Sequence, residues 1–531
     1  MGRMVEDLLR PEAYPEGVDA VELIETDVSY IFLTGKYAYK VKKPVRFGLV
    51  DFTTPADRRD YCHQELWLNR RLSPEVYVAV VEVREEDGSY AIEGPGATVD
   101  WAVKMLQLPR DRAMSVMLER GQVTEENVRR VAARIAEFHA RAETSLTITR
   151  LGGLEAVRQR VEENFSQTER FVGVSLPPEV LDDLKAYCHA FLTTRVDVFF
   201  QRHVEGMIRD CHGDLRAEQV FLENGISVIG CVEFDDRFRY LDVAEDVAFL
   251  AMDLEHRGRR DLSRVFVESY VQTSGDQWLL ELLDFFKAHR AYVRGNVASA
   301  RLDDPLLQGA ERVEAESFAR GWFRLANSYA TERFLRTAII LVAGVTGDEK
   351  SAVAQDLARR WDLAYVSSDM TGNVQDLGLP DEQRYRELDQ GMDSREASRR
   401  DYDAILERAE EFVDGGRSVV IDAAFLRSEE RTRALELASR KGVDVWFVEC
   451  VLSREKPKRR LSLRWRRGES VPVGRREMFH RQQAEWEPVE NMPANRYIRL
   501  ETGGPLPETM ARLLHRLYVS VLTPDANDGL S

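Results

Sequence analysis

The sequence is short of the features that would place it outside the cell, in a membrane or on a nucleic acid. Its five cysteines (Cys62, Cys188, Cys211, Cys231 and Cys450) show no CxxC spacing, so neither a zinc site nor a disulfide framework is indicated. No apolar run approaches the roughly 20 residues that a membrane span needs. The first residues, Met1 to Asp7, are polar and lack the apolar core of a secretory signal. Basic residues are in deficit: 74 Lys and Arg face 91 Asp and Glu, a net charge of −17. A surface that holds phosphate backbones needs the opposite balance. The expectation is a reduced, cytoplasmic protein with no nucleic-acid and no membrane partner.

The chain is nevertheless long, at 531 residues, with 44% hydrophobic and 31% charged residues. That is the profile of a globular protein with more than one core. The first 110 or so residues read as strands and short turns. Val28–Leu33 and Tyr37–Lys42 flank Thr34-Gly35-Lys36 as a hairpin. Arg58–Leu72 has the spacing of a helix, and Val76–Val83 and Trp101–Leu106 read as strands. From Thr124 to Ala330 helical patterns dominate, broken by a β-like island at Val220–Phe234. Beyond Thr337 the pattern changes to short buried apolar runs (338–343, 364–366, 419–421, 445–448 and 497–500) separated by helical stretches. Such alternation predicts a parallel α/β sheet.

Two constellations carry chemistry. In the first, His212-Gly213-Asp214-Leu215 is followed by Gln219 five residues after the Asp, and Glu233 closes the next hairpin. Phosphoryl transfer to a hydroxyl needs a carboxylate to take the proton and oxygen ligands for magnesium. This segment resembles the aminoglycoside phosphotransferase and choline kinase superfamily over about residues 20–330. The resemblance implies a bilobal, protein-kinase-like α+β domain with Asp214 as catalytic base and His212 beside it. It places Gln219 and Glu233 at the magnesium positions, Lys40 as the strand lysine on the nucleotide phosphates, and Glu65 as its helix partner. Gln stands where the family has Asn, and Glu where it has Asp, each a methylene longer.

In the second, Gly344-Val-Thr-Gly347-Asp-Glu-Lys350-Ser351 follows a buried strand and precedes a helix, the setting of a phosphate-cradling loop. Glu349 occupies the place of the loop's last Gly. Downstream, Asp422 ends a strand where it can organise magnesium with Ser351, and Asp369 ends another where an acceptor would lie. Arg460 and Arg464 fall in a basic stretch that suits lid arginines. The motif order resembles P-loop kinases of the gluconate-kinase-like and zeta-toxin-like group over about residues 336–515. In that group an Arg-Lys pair follows the Asp; here Thr371-Gly372-Asn373 occupies the region. The whole resembles the bacterial bifunctional phosphotransferase/ATP-binding proteins.

The expectation is a phosphotransferase-like domain at 1–335 (small lobe about 1–110, helical lobe about 111–335) and an α/β P-loop domain at 336–531. The function expected is ATP- and Mg2+-dependent phosphorylation of a small-molecule hydroxyl. Two alternatives stand beside it: a degenerate nucleotide-binding regulator, or kinase activity residing in the P-loop half.

Overall fold

The computed structural model describes residues 2–47, 50–223, 225–335, 337–345, 349–368, 394–452, 481–490 and 492–523. The chain packs as two compact units, and no single cut separates them. One comprises Met1–Asn164 and Val196–Val297, the other Phe165–Arg195 and Ala298–Ser531.

The first unit is built on a six-stranded antiparallel sheet. Its strands are β1 (Glu22–Glu25), β2 (Ser29–Leu33), β3 (Tyr37–Lys42), β4 (Tyr77–Glu86), β5 (Ser89–Ile92) and β6 (Ala97–Leu106), in spatial order β1-β2-β3-β6-β4-β5. The Thr34–Lys36 turn sets the β2/β3 register, pairing Ile31 with Lys40. Because side chains alternate along a strand, Lys40 and Lys42 share a face. Helix α1 (Pro55–Arg70) packs on the sheet; the Thr54 side chain accepts from the Asp57 amide and Pro55 fills its first turn. Its buried residues, Cys62, Glu65 and Asn69, recur at three to four, so Glu65 lies on the inward stripe. The rest of the unit is helical, including α2 (Glu125–Arg141) and α3 (Val243–His256). The short strands Ile208–Asp210 and Tyr240–Asp242 pair antiparallel and close a loop that spans 211–239. This is the kinase-like α+β arrangement implied by the sequence.

The second unit contains a five-stranded parallel sheet of β7 (Ala338–Ala343), β8 (Ala364–Ser367), β9 (Val419–Asp422), β10 (Asp444–Leu452) and β11 (Tyr497–Thr502). The order is β8-β9-β7-β10-β11. Every β7 residue is buried, as expected of a central parallel strand covered on both faces. Helices α4 (Lys350–Arg360) and α5 (Leu506–Leu522) pack on it. The helix Pro178–Thr194, distant in sequence, packs in this unit against α5, with the Tyr187 and Tyr518 rings 5.5 Å apart. This unit has the α/β P-loop fold.

Candidate functional site

In the first unit the site grows from β3, α1 and the 211–239 loop. Lys42 Nζ donates to Glu65 Oε2 at 2.8 Å and to Glu233 Oε1 at 2.6 Å, while Lys40 Nζ reaches Glu65 Oε1 at 2.7 Å. Lys42 and Glu65 are each only 1% exposed. Burial opposes the charge on both, yet each outweighs it through the other: Glu233 and Glu65 raise Lys42, and Lys40 and Lys42 hold Glu65 well below the usual carboxylate range. Lys40 was the lysine singled out in the sequence. Lys42, absent from that expectation, is the one that ties the helix carboxylate to Glu233. The signal available was parity: two lysines two residues apart on a strand face the same way.

The loop carrying Asp214 is fastened from beneath. Asp246, on α3 and fully buried, accepts from the His212 amide at 2.7 Å and the Gly213 amide at 2.9 Å. Burial works against its charge, but these donors and His139 keep it below the ordinary carboxylate range. His212 Nδ1 accepts from the Asp214 amide at 3.2 Å, so its Nε2–H donates to the Ile229 carbonyl at 2.9 Å. That tautomer is neutral, and burial lowers the His212 pKa in agreement. His212 therefore braces the loop, and Asp214 projects from it half-exposed. Arg216 grips Asp214 through both oxygens, Nε to Oδ1 at 2.7 Å and Nη2 to Oδ2 at 2.9 Å.

Gln219 Nε2 lies 3.4 Å from Asp214 Oδ2, which leaves its Oε1 as an oxygen donor. The extra methylene of Gln219 is accommodated by Gly230: a Cβ there would stand 2.5 Å from Gln219 Oε1, and the +76° φ also favours glycine. The extra methylene of Glu233 is used to reach Lys42.

His139, Cys211 and Asp246 form the cluster whose ligand atoms lie close enough for a metal among the described residues. Each is already engaged. His139 contacts the Tyr270 hydroxyl and Asp246, and the Cys211 thiol donates to the Leu241 carbonyl. The cluster supports the loop and does not fit a metal centre.

In the second unit, Gly344 follows β7 at the point where a Cβ would stand 2.7 Å from the Cys450 carbonyl oxygen. Lys350 begins α4, and its Nζ donates to Asp422 Oδ1 at 2.5 Å; the Tyr365 hydroxyl donates to Asp422 Oδ2 at 2.7 Å. Register pairs Val342 of β7 with Asp422 of β9, which puts the loop lysine beside the strand-end carboxylate. Ser351 follows Lys350 in the first turn of α4. Glu349 takes the left-handed conformation (φ 59°) and is exposed. Gly347, Asp369, Arg460 and Arg464 lie outside the described residues.

Residues 339–489 match an AAA domain family. An uncharacterized protein of Mycobacterium tuberculosis (strain ATCC 25618 / H37Rv) is 31% identical over 421 residues, covering 79% of this chain and 81% of its own. An uncharacterized protein of Mycobacterium bovis matches with the same figures. Among solved structures, a choline/ethanolamine kinase family protein from Mesorhizobium loti is similar at 12% identity and TM-score 0.37, over 62% of this chain and 99% of its own. A gluconokinase from Sinorhizobium meliloti 1021 is similar at 18% identity and TM-score 0.26, over 36% of this chain and 94% of its own.

Proposed function

The chain belongs to the family of the mycobacterial proteins it matches, and we propose that it is a phosphotransferase whose first unit moves the γ-phosphoryl group of ATP to a hydroxyl of a small molecule. The observation that carries this reading is the Glu65–Lys42–Glu233 bridge beside a braced loop presenting Asp214. A lysine that joins a helix carboxylate to a loop carboxylate is a way to align phosphate and metal groups before reaction. Gln219 Oε1 and Glu233 are the oxygen donors that would hold Mg2+, which when bound neutralises phosphate charge. Lys40, 20% exposed at its side chain, is placed to reach a phosphate oxygen. Asp214 accepts the proton of the acceptor hydroxyl, and Arg216 holds its carboxylate in one orientation for that transfer. In the second unit, Lys350, Ser351 and Asp422 are the groups suited to a second nucleotide.

The test is ATP turnover by the full chain with Mg2+, where water serves as a slow acceptor if no better alcohol is supplied. Asp214→Asn is expected to cut turnover by about 10²–10⁴-fold with ATP affinity kept. Lys350→Ala is expected to leave it within a few-fold. The reverse result, loss with Lys350→Ala and none with Asp214→Asn, would move the activity to the second unit.

A further inference from the structure

Next to the loop lies a set of buried basic groups that the proposed chemistry leaves unused. Glu245, the neighbour of Asp246 on α3, is 1% exposed and receives three of them. Arg160 Nη2 is 3.0 Å from Glu245 Oε2, and Arg290 Nε and His289 Nδ1 are 3.1 and 3.3 Å from Oε1. Two guanidiniums around one carboxylate leave a surplus positive charge. They also leave surplus donors: Arg160 Nε and Nη1 make no hydrogen bond among the described residues. Buried donors without partners are uncommon because each forfeits its hydration.

The position of the cluster relates it to the transfer site. Arg290 and Arg294 stand one helical turn apart on the helix Leu279–Ala300. Arg294 is within electrostatic reach of Asp214 and Arg216. On the other side, Arg160 belongs to the helix Leu154–Thr168, whose Glu163 is within reach of Arg237 in the segment that follows Glu233. The basic cluster therefore borders the loop that presents the base, on the side formed by the helices. Burial, with a neighbouring arginine adding to it, holds Arg160 and Arg294 below the ordinary arginine range, although Glu245 beside Arg160 and Asp214 near Arg294 act the other way. Arg160 keeps 12% of its side chain exposed.

We propose that Arg160 and Arg290, with His289, form a subsite for an anionic group on the phosphate acceptor, so that the acceptor is an alcohol that also carries a phosphate monoester or a carboxylate. This rests on the reading of Asp214 as the base. Guanidiniums pair in bidentate fashion with both kinds of anion. The same cluster repels an ammonium, which removes cationic amino-alcohols from the acceptor class.

The test uses the full chain carrying Lys350→Ala, so that the second unit contributes no phosphate binding. Inorganic phosphate, glycerate and choline are titrated calorimetrically at constant ionic strength. One of the two anions is expected to bind and choline is not; which anion binds distinguishes a phosphorylated from a carboxylated acceptor. Arg160→Gln is expected to weaken that binding at least tenfold, and Arg160→Lys, which keeps the charge beside Glu245, to weaken it less. Binding of choline, or of neither anion, by this chain overturns the subsite whatever the variants do. Failure of the parent reading looks different. A chain that binds the anion but loses no ATP turnover on Asp214→Asn keeps the subsite and loses the base.

Discussion

Lys42 is a charge in the interior, and its two carboxylate partners make it tolerable. Removing it leaves Glu233 without its lysine and Glu65 with Lys40 alone, whereas removing Lys40 leaves the covered Lys42–Glu65 and Lys42–Glu233 pairs in place. Breaking a buried ion pair from one side costs about 3–5 kcal/mol, and a partly exposed one about 1 kcal/mol or less. Lys42→Met is therefore expected to lower unfolding free energy by at least about 2 kcal/mol more than Lys40→Met, measured by urea denaturation without nucleotide. Equal losses would mean that Lys42 is not the keystone of the bridge. The residues of this site were unequally readable. His212, Asp214 and Gln219 lie within eight positions of one another, so a local motif exposed them. Lys42 finds Glu233 across 191 positions and His212 finds Asp246 across 34. Pairings of that range are set by topology, and adjacent lysines look alike until the partner is in place.

At the scale of elements, the alternating strands and the strand–helix alternation of the P-loop unit were legible because each strand has one period and one burial state. The helices between 124 and 330 were legible only as a block. Helix α3 shows why: every residue from Val243 to Leu254 is buried, so no polar face marks its rotation or its ends. The docking of Pro178–Thr194 beside α4 and α5 had no signal in sequence order. It includes Asp183, 1% exposed, which accepts from Trp361 Nε1 at 3.0 Å, with Arg360 at 3.8 Å and Asp182 alongside. Burial pushes its carboxyl up to about 7. A carboxyl raised in the fold is protonated there while already ionised in the unfolded chain between about pH 4 and 7. The folded state holds the extra proton, so stability falls as pH rises through that window, by up to about 4 kcal/mol. Asp183→Asn keeps an acceptor for Trp361 and is expected to stabilise the chain at pH 8 and to flatten the dependence between pH 5 and 8. Parallel pH profiles for the two proteins in urea titrations would refute this.

The loop before α4 gives the second element-scale expectation. Glu349 holds a left-handed backbone that glycine adopts without strain. Glu349→Gly is expected to raise stability by about 1 kcal/mol. The residue is exposed, so screening reduces its repulsion of a bound phosphate well below the buried case, and ATP affinity is expected to rise only modestly, by about tenfold or less. Calorimetric titration of ATP–Mg2+ into the full chain carrying Lys40→Met, which removes the first unit's phosphate-reaching lysine, reads the second unit. Weaker binding after Glu349→Gly would show that the glutamate contributes to the nucleotide site.

Across the whole molecule, charge and site chemistry pull in opposite directions. The chain carries −17 overall, yet the inferred acceptor subsite and the two proposed phosphate sites concentrate lysine and arginine. At physiological salt a field decays within about 8 Å, so an anion the size of a metabolite meets the local arginines once inside, and the distant carboxylates are screened. A duplex cannot make that bargain. Its affinity depends on several phosphates being neutralised at once along a surface, each released counterion adding to binding. Of the basic groups proposed to meet phosphate, Lys42 and Arg160 are largely covered and cannot track a backbone. The full chain is therefore expected to retain no DNA or RNA at about 150 mM salt, and lowering the salt to about 50 mM is expected to change this little. A fluorescence-anisotropy titration with an unrelated labelled duplex measures both points. Micromolar binding that weakens steeply with added salt would reveal a continuous basic surface and overturn the assignment of these charges to small-molecule sites alone.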